Sequence, residues 1–170
     1  TEQVHFCLGT AGFAQERPEK YALATIDSVL GGGMSSRLFQ EIRENRGLAY
    51  SVGSYSASYQ EAGMFAIYGG TSVQNVEQVL DLARAECENI SRNSVTDAEL
   101  ERSKNQIRGA LVLGQESMSN RMSRLAKSEI YYGRIIRLDE IIAQITAVTR
   151  DDVAEVASRL FGGGSFALAA

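Results

Sequence analysis

The sequence is poor in the side chains that most enzymes use for chemistry at neutral pH. It contains one histidine, His5, and two cysteines, Cys7 and Cys87. Because a catalytic zinc site needs about three protein ligands, the chain is not expected to bind catalytic zinc by itself. A serine or cysteine nucleophile needs a nearby base, and His5 is the sole candidate, with no G-x-S-x-G sequence present. We interpret His5 as a partly buried polar residue of a strand rather than a metal ligand.

A net positive charge and long apolar runs are also absent. The net charge is -4 and the isoelectric point is near 5.1, which excludes the basic stripe of a nucleic-acid surface and disfavours an anionic membrane. No apolar run approaches the roughly 20 residues of a membrane helix. With 170 residues, 44% of them hydrophobic and 22% charged, we expect one soluble domain spanning residues 1–170.

The cysteines form no C-x-x-C motif and lie eighty positions apart, one in a strand pattern and one in a helix pattern. Two buried free thiols are therefore predicted, which favours a reducing compartment. We expect a cytoplasmic protein, with the mitochondrial matrix as the alternative. The sequence begins TEQVHF, without a methionine or a signal-peptide pattern, so we expect an excised domain or a processed fragment.

Apolar periodicity predicts strands at Gln3–Thr10, Leu48–Ser58 and Met64–Thr71, with a closing strand at Ser165–Ala169. The middle two make an antiparallel hairpin, in which Gly53 could mark a bulge. Both strands of this hairpin carry apolar residues on both faces, so helices are expected to cover one face and something outside the chain the other.

Helical periodicity predicts a helix from Glu19 to Leu30, following Pro18 and ending at Gly31-Gly32-Gly33. A short helix up to Asn45, capped by Ser35 or Ser36, and several later helices follow. The later helices have predicted caps at Ser72, at Thr96 with Glu99 and at Thr149 with Asp152, and a weak point at Gly114. This order of elements predicts an α+β fold, a largely antiparallel sheet of about four strands with helices packed on one face.

Two features around the triple glycine are candidates for chemistry. The segment Gly31–Ser36 offers backbone amides at a helix start that could hold an anion, but it lacks a P-loop lysine, and a turn between helices is the simpler interpretation. Arg43 and Tyr50 flank a turn at Arg46-Gly47, which could bring a guanidinium and a phenol together to hold a peptide carbonyl. Alternatively, Arg43 pairs with Glu44 or Asp27 on the surface and Tyr50 belongs to the core.

The stretch LGGGMSSRLFQEIRENRGLAYSV, with TIDSVLGGG before it and AGMFAIYGGTS after it, resembles the C-terminal half of pitrilysin/insulinase-type zinc metallopeptidases. That group includes the mitochondrial processing peptidases and the core proteins of the respiratory cytochrome bc complex. The likeness covers essentially the whole chain. It implies an enzyme of two similar halves closing around a chamber, with the zinc motif H-x-x-E-H in the N-terminal half. In active members the C-terminal half carries R-x-x-x-x-x-x-Y, which is intact here as Arg43 to Tyr50.

The resemblance implies that Arg43 and Tyr50 bind the substrate backbone, and that zinc belongs to the complete enzyme and not to this chain, which contains no H-x-x-E-H. The chain alone is expected to be inactive. Its implied partners are a peptide substrate and an N-terminal zinc-binding half, in the same protein or in a partner subunit; a homodimer is a further option. The alternative is a non-catalytic partner or core subunit of a processing-peptidase-like assembly.

Overall fold

A four-stranded antiparallel sheet organises the fold in the computed structural model, which describes residues 3–170. Its order is β2-β3-β1-β4, and the strands are β1 (Gln3–Gly12), β2 (Ala49–Ser58), β3 (Gly63–Ser72) and β4 (Ala167–Ala169). The predicted hairpin is confirmed as β2 and β3, with β1 paired along the other side of β3. The predicted α+β class is confirmed.

Helices make up most of the remaining chain. They are α1 (Glu19–Gly31), a π helix (Phe39–Glu44), α2 (Val76–Asn93), α3 (Asp97–Leu113), a 3-10 turn (Gly114–Glu116), α4 (Met118–Tyr132), α5 (Leu138–Ala147) and α6 (Arg150–Phe161). The break predicted at Gly114 is confirmed, since α3 ends there and α4 starts with the cap Ser117. Within residues 3–170, none of these helices combines the length and the apolar character needed to cross a membrane.

The core lies between the sheet and the helices α1, α2 and α6, which cover one face as predicted. Alternate strand residues such as Leu8 and Phe65 point into it and are fully buried. Phe65 meets Phe161 of α6 edge to face, with ring centroids 5.5 Å apart. Cys87 of α2 is buried there as a free thiol, and burial raises its pKa to about 12; Cys7 is free and half-buried. Both cysteines are thus unpaired, as predicted.

The opposite face of the sheet is not covered by any helix of residues 3–170, and we call it the open face. The strand pairing identifies the residues of this face, because residues paired across neighbouring strands point to the same side of the sheet. They are Gln3, His5, Cys7, Gly9 and Ala11 of β1; Ser51, Gly53, Tyr55 and Ala57 of β2; Met64, Ala66, Tyr68, Gly70 and Ser72 of β3; and Ala167 and Ala169 of β4.

Side-chain caps were predicted correctly where the capping box is complete. Thr96 with Glu99 and Thr149 with Asp152 form the two boxes, each threonine accepting from the backbone N–H three residues on. The predicted serine caps are wrong. The strand β3 extends through Ser72, so α2 begins only after Asn75, and the hydroxyl of Ser36 is buried without a hydrogen-bond partner.

The bulge predicted at Gly53 is also misplaced. The register shift in the β2–β3 pairing lies between Ala49 and Ser51, so the inserted residue is Tyr50. Gly53 is required for close packing instead, because a Cβ there would lie 2.9 Å from the Tyr68 hydroxyl.

Candidate functional site

Three local departures from regular structure bring Arg43 and Tyr50 together. The segment Phe39–Glu44 is a π helix, in which the Asn45 N–H donates to the Gln40 carbonyl at 2.8 Å; such widened turns are frequent at functional sites. Gly47 then adopts φ +62°, a conformation that suits glycine, and its N–H donates to the Arg43 carbonyl at 3.0 Å. The chain therefore turns back from the helix into β2 directly beneath Arg43.

The bulge at Tyr50 completes this arrangement. Ala49 is buried and pairs with Thr71, whose hydroxyl donates to the Leu48 carbonyl at 2.6 Å and holds the start of β2. The extra residue places both Tyr50 and Ser51 on the exposed side before Val52 returns to the core. Without the bulge, strict alternation would direct Ser51 toward the core instead of leaving it beside Tyr50.

The guanidinium of Arg43 lies between two aromatic rings. Its Cζ is 4.7 Å from the ring centroid of Phe39 and 5.0 Å from that of Tyr50. Both distances are within the range of cation–π attraction, which restricts a long side chain that would otherwise sample many rotamers. Phe39 was not among the site residues predicted from the sequence, so this contact was missed. The signal was its position four residues before Arg43, on the same helical face.

The same two side chains remain open to solvent and to a ligand. Tyr50 is 77% exposed, which rules out the alternative that it belongs to the core. Arg43 forms a loose ion pair with Glu44, as the alternative predicted, but Nε and Oε1 are 3.9 Å apart, too far for a hydrogen bond. Among residues 3–170, neither the Arg43 guanidinium nor the Tyr50 hydroxyl donates a hydrogen bond. The pair therefore offers free donors at one place.

Asp27, the other partner considered for Arg43, is occupied elsewhere. It accepts hydrogen bonds from Ser54 and from Ser56, the latter at 3.3 Å. Burial raises the pKa of this carboxyl, and the two serine hydrogen bonds oppose the rise. Asp27 thus ties α1 to β2 and is not a partner of Arg43.

The neighbouring charges of this segment are also paired. Arg46 donates through Nε to Glu41 at 3.0 Å and makes a second, shorter contact through Nη2. This hydrogen bonding lowers the pKa of Glu41. Arg43 is therefore the arginine of this turn whose charge is available to a ligand.

The triple glycine serves packing and not anion binding in this structure. A Cβ at Gly31 would lie 2.1 Å from the backbone nitrogen of Ser54, so glycine lets α1 contact β2 directly. The Gly32 carbonyl accepts from the Gln106 side chain at 2.6 Å, and the Ser36 N–H donates to the Gly33 carbonyl at 3.0 Å. The amide of Ser36 is thus already used within the turn, which supports the simpler interpretation of this segment.

The residues from position 3 onward do not supply the ligands of a catalytic zinc ion. His5 is exposed on the open face, and its ring lies over Gly70, where a Cβ would be 3.2 Å from Cε1. No cluster of three histidine, cysteine, aspartate or glutamate side chains that could hold a metal occurs in the part of the chain from residue 3 onward. A catalytic zinc site needs about three such ligands.

Comparison with known proteins identifies the family of this chain. Residues 1–107 match the family model described as the peptidase M16 inactive domain. An uncharacterized zinc protease of Bacillus subtilis is 44% identical over 161 residues, which are 95% of this chain and 39% of the relative. The chain therefore spans about two fifths of the length of the curated relatives that it matches.

Two solved structures share the fold at low sequence identity. The first is a peptidase M16 inactive domain from Pseudomonas fluorescens, with TM-score 0.88, 24% identity, and coverage of 99% of this chain and 40% of that one. The second is a chain of complex III2 from Candida albicans, with TM-score 0.85, 20% identity, and coverage of 99% and 42%. Together with the family match over residues 1–107, the sequence and the fold show that this chain belongs to the peptidase M16 inactive-domain family.

Proposed function

We propose that this chain is the C-terminal, substrate-binding half of a zinc-dependent metalloendopeptidase that hydrolyses peptides or unfolded segments. The relative from Bacillus subtilis is named a zinc protease, and the chain belongs to the M16 inactive-domain family. In this proposal residues 1–170 form one domain, and the zinc is held by an N-terminal half, in the same protein or in a partner subunit. The free thiols Cys7 and Cys87 favour a reducing compartment, the cytoplasm or the mitochondrial matrix.

The observation that carries the proposal is the Arg43–Tyr50 pair. A guanidinium held between two rings, next to an exposed phenol, presents several donors with no competing acceptor within hydrogen-bond distance. Such donors can donate hydrogen bonds to a backbone carbonyl oxygen of the substrate and stabilise negative charge that develops on it. Neither group is a base, so the pair orients and stabilises the substrate and does not itself remove a proton.

Substitutions in the full-length protein test this role. Removing one such donor typically lowers kcat about a hundredfold, so Arg43→Ala and Tyr50→Phe should each depress peptide cleavage by roughly that factor. The zinc content, measured by metal analysis, should not change. Arg92→Ala and Tyr131→Phe are matched controls, because Arg92 is a surface arginine paired with Glu88 on α2 and Tyr131 lies on α4. Wild-type cleavage by both Arg43→Ala and Tyr50→Phe would contradict the proposal.

A non-catalytic partner or core subunit is the second candidate, favoured by the fold shared with a chain of complex III2. This candidate requires no free donors at Arg43 and Tyr50, yet the structure retains them, and we therefore prefer the enzyme. Metal analysis of the full-length protein separates the two. Stoichiometric zinc together with peptide cleavage supports the peptidase half, whereas a zinc-free protein that cleaves no peptide supports the subunit.

A further inference from the structure

The open face of the sheet carries no formally charged side chain. Charged residues make up 22% of the sequence, so a surface of this size would ordinarily carry about three. Across the four strands from residue 3 onward, the outward positions instead hold small residues, tyrosines, Met64, Cys7 and His5. Arg43 and Glu44, which form a loose ion pair at 3.9 Å, lie outside these outward positions.

The open face is also uneven, with large and small side chains next to each other. Tyr55 and Tyr68 form a ridge, with ring centroids 6.0 Å apart and exposures of 40% and 44%. Beside them the side chains are small, including Gly9, Ala11 and Ala57. A ridge of aromatic rings flanked by small residues leaves room for the side chains of a peptide lying over the open face.

This surface continues from the Arg43–Tyr50 site. Tyr50 and Tyr55 belong to the same strand, and both point outward. A strand advances about 3.3 Å per residue, so the two tyrosines are separated by about 17 Å, the length of roughly five extended peptide residues. A peptide bound at Arg43 and Tyr50 would therefore extend over the ridge.

We infer that the open face selects uncharged peptide segments with aromatic or aliphatic side chains, and that it disfavours strongly basic or acidic ones. The inference rests on the proposed function, because it gives the substrate class of the same site. A charged side chain placed on this face would lose water without meeting an opposite charge. Tyrosine rings and small residues instead offer apolar contact, and the phenol hydroxyls supply hydrogen bonds without charge.

Peptide binding to the full-length protein tests this selection. The probes are fluorescein-labelled peptides of about twelve residues whose central segment contains Ala, Ser, Leu and Phe, compared with the same peptides carrying two Lys or two Glu in that segment. Fluorescence anisotropy gives the dissociation constants. We expect the neutral peptide to bind about fivefold or more tightly than either charged peptide. Equal binding of the three peptides, or no binding of any, would overturn the inference.

Charge variants locate the effect on the sheet. Tyr55→Lys should improve binding of the Glu peptide by about threefold, the size of one partly exposed ion pair, and Ala11→Lys, also on this face, should act in the same direction. Val112→Lys on α3 adds the same charge at an exposed position away from the sheet, and should leave the preference unchanged. A shift of the same size in Val112→Lys, or no shift in the two sheet variants, would contradict the inference.

The two hypotheses fail in different ways. Cleavage by Arg43→Ala tests the proposed function, while the binding preference of the wild-type protein and of Tyr55→Lys tests the substrate class. If the protein discriminates between charged and neutral peptides but Arg43→Ala cleaves normally, the inference about the open face holds and the proposed role of Arg43 is wrong. If Arg43→Ala impairs cleavage but the wild-type protein binds all three peptides equally, the proposed role of Arg43 holds and the inference about the open face is wrong.

Discussion

Arg37 and Glu99 form a two-point hydrogen-bonded ion pair, with Nε donating to Oε1 at 2.7 Å and Nη2 donating to Oε2 at 2.8 Å. Their side chains are 16% and 19% exposed. Arg37 lies just before the π helix, and Glu99 belongs to the first turn of α3, where it also completes the capping box with Thr96. The pair therefore fixes the start of the segment that carries Arg43 against the helical layer.

Breaking this pair should destabilise the protein. Arg37→Ala leaves a mostly buried carboxylate with fewer donors, and we expect a loss of about 1–3 kcal/mol in the free energy of unfolding, measured by urea denaturation. Arg92→Ala is the control, because its pair with Glu88 is exposed and should be worth about 0.5 kcal/mol or less. Equal effects of the two substitutions would show that the Arg37–Glu99 geometry contributes no special stability.

Acid should weaken the same contact. The hydrogen bonds from Arg37 lower the pKa of Glu99 to about 2, from a reference value of 4.5. Since the folded state holds the carboxylate ionised, this stabilisation is complete above pH 4.5 and is lost as the pH falls toward 2. The urea midpoint should therefore drop over that range, and it should drop less in Glu99→Gln. An identical pH dependence in the variant would exclude Glu99 as a contributor.

Replacing glycine by alanine should lower the free energy of unfolding at one position and raise it at another. Gly31→Ala places a Cβ 2.1 Å from the backbone nitrogen of Ser54, so α1 must move from β2, at an expected cost of about 1–3 kcal/mol. Gly109 lies in α3, with nothing within 4 Å of an added Cβ, and Gly109→Ala should stabilise by about 0.5–1 kcal/mol through helix propensity. Thermal unfolding measures both, and destabilisation by Gly109→Ala would contradict the explanation.

Gly47 tests backbone conformation separately from packing. It has φ +62°, yet nothing lies within 4 Å of an added Cβ, so the penalty of Gly47→Ala is conformational and should be about 1–2 kcal/mol. Gly47→Asn should lose less, because asparagine tolerates this conformation better. Chemical denaturation of the two variants gives the comparison. A loss in Gly47→Asn as large as that in Gly47→Ala would point to a cause other than the positive φ.

Sequence patterns predicted those features that depend on neighbouring residues. The capping boxes at Thr96 and Thr149 form because acceptor and donor lie three residues apart in the chain. The hairpin β2–β3, the end of α1 and the spacing of Arg43 and Tyr50 are likewise local. The family resemblance rested on the stretch from Leu30 to Val52, and the match over residues 1–107 confirmed it.

Features that require distant contacts were missed or misplaced. The bulge lies at Tyr50 and not at Gly53, because the register shift in the pairing of β2 with β3 falls between Ala49 and Ser51. Ser72 does not cap α2, because its strand continues in pairing with β1. Neither competing contact is visible in the residues that surround Gly53 or Ser72 in the chain.

The sequence by itself determined that an arginine and a tyrosine, with six residues between them, flank a glycine turn, since turn chemistry and helix length act within a few residues. Only the tertiary structure places the Arg43 guanidinium between the rings of Phe39 and Tyr50. It alone also shows that the outward positions of the adjoining sheet carry no charged side chain. Which residues of separate strands share a face depends on register and on a single inserted residue. Both are settled when the strands pair and the helices cover the other side.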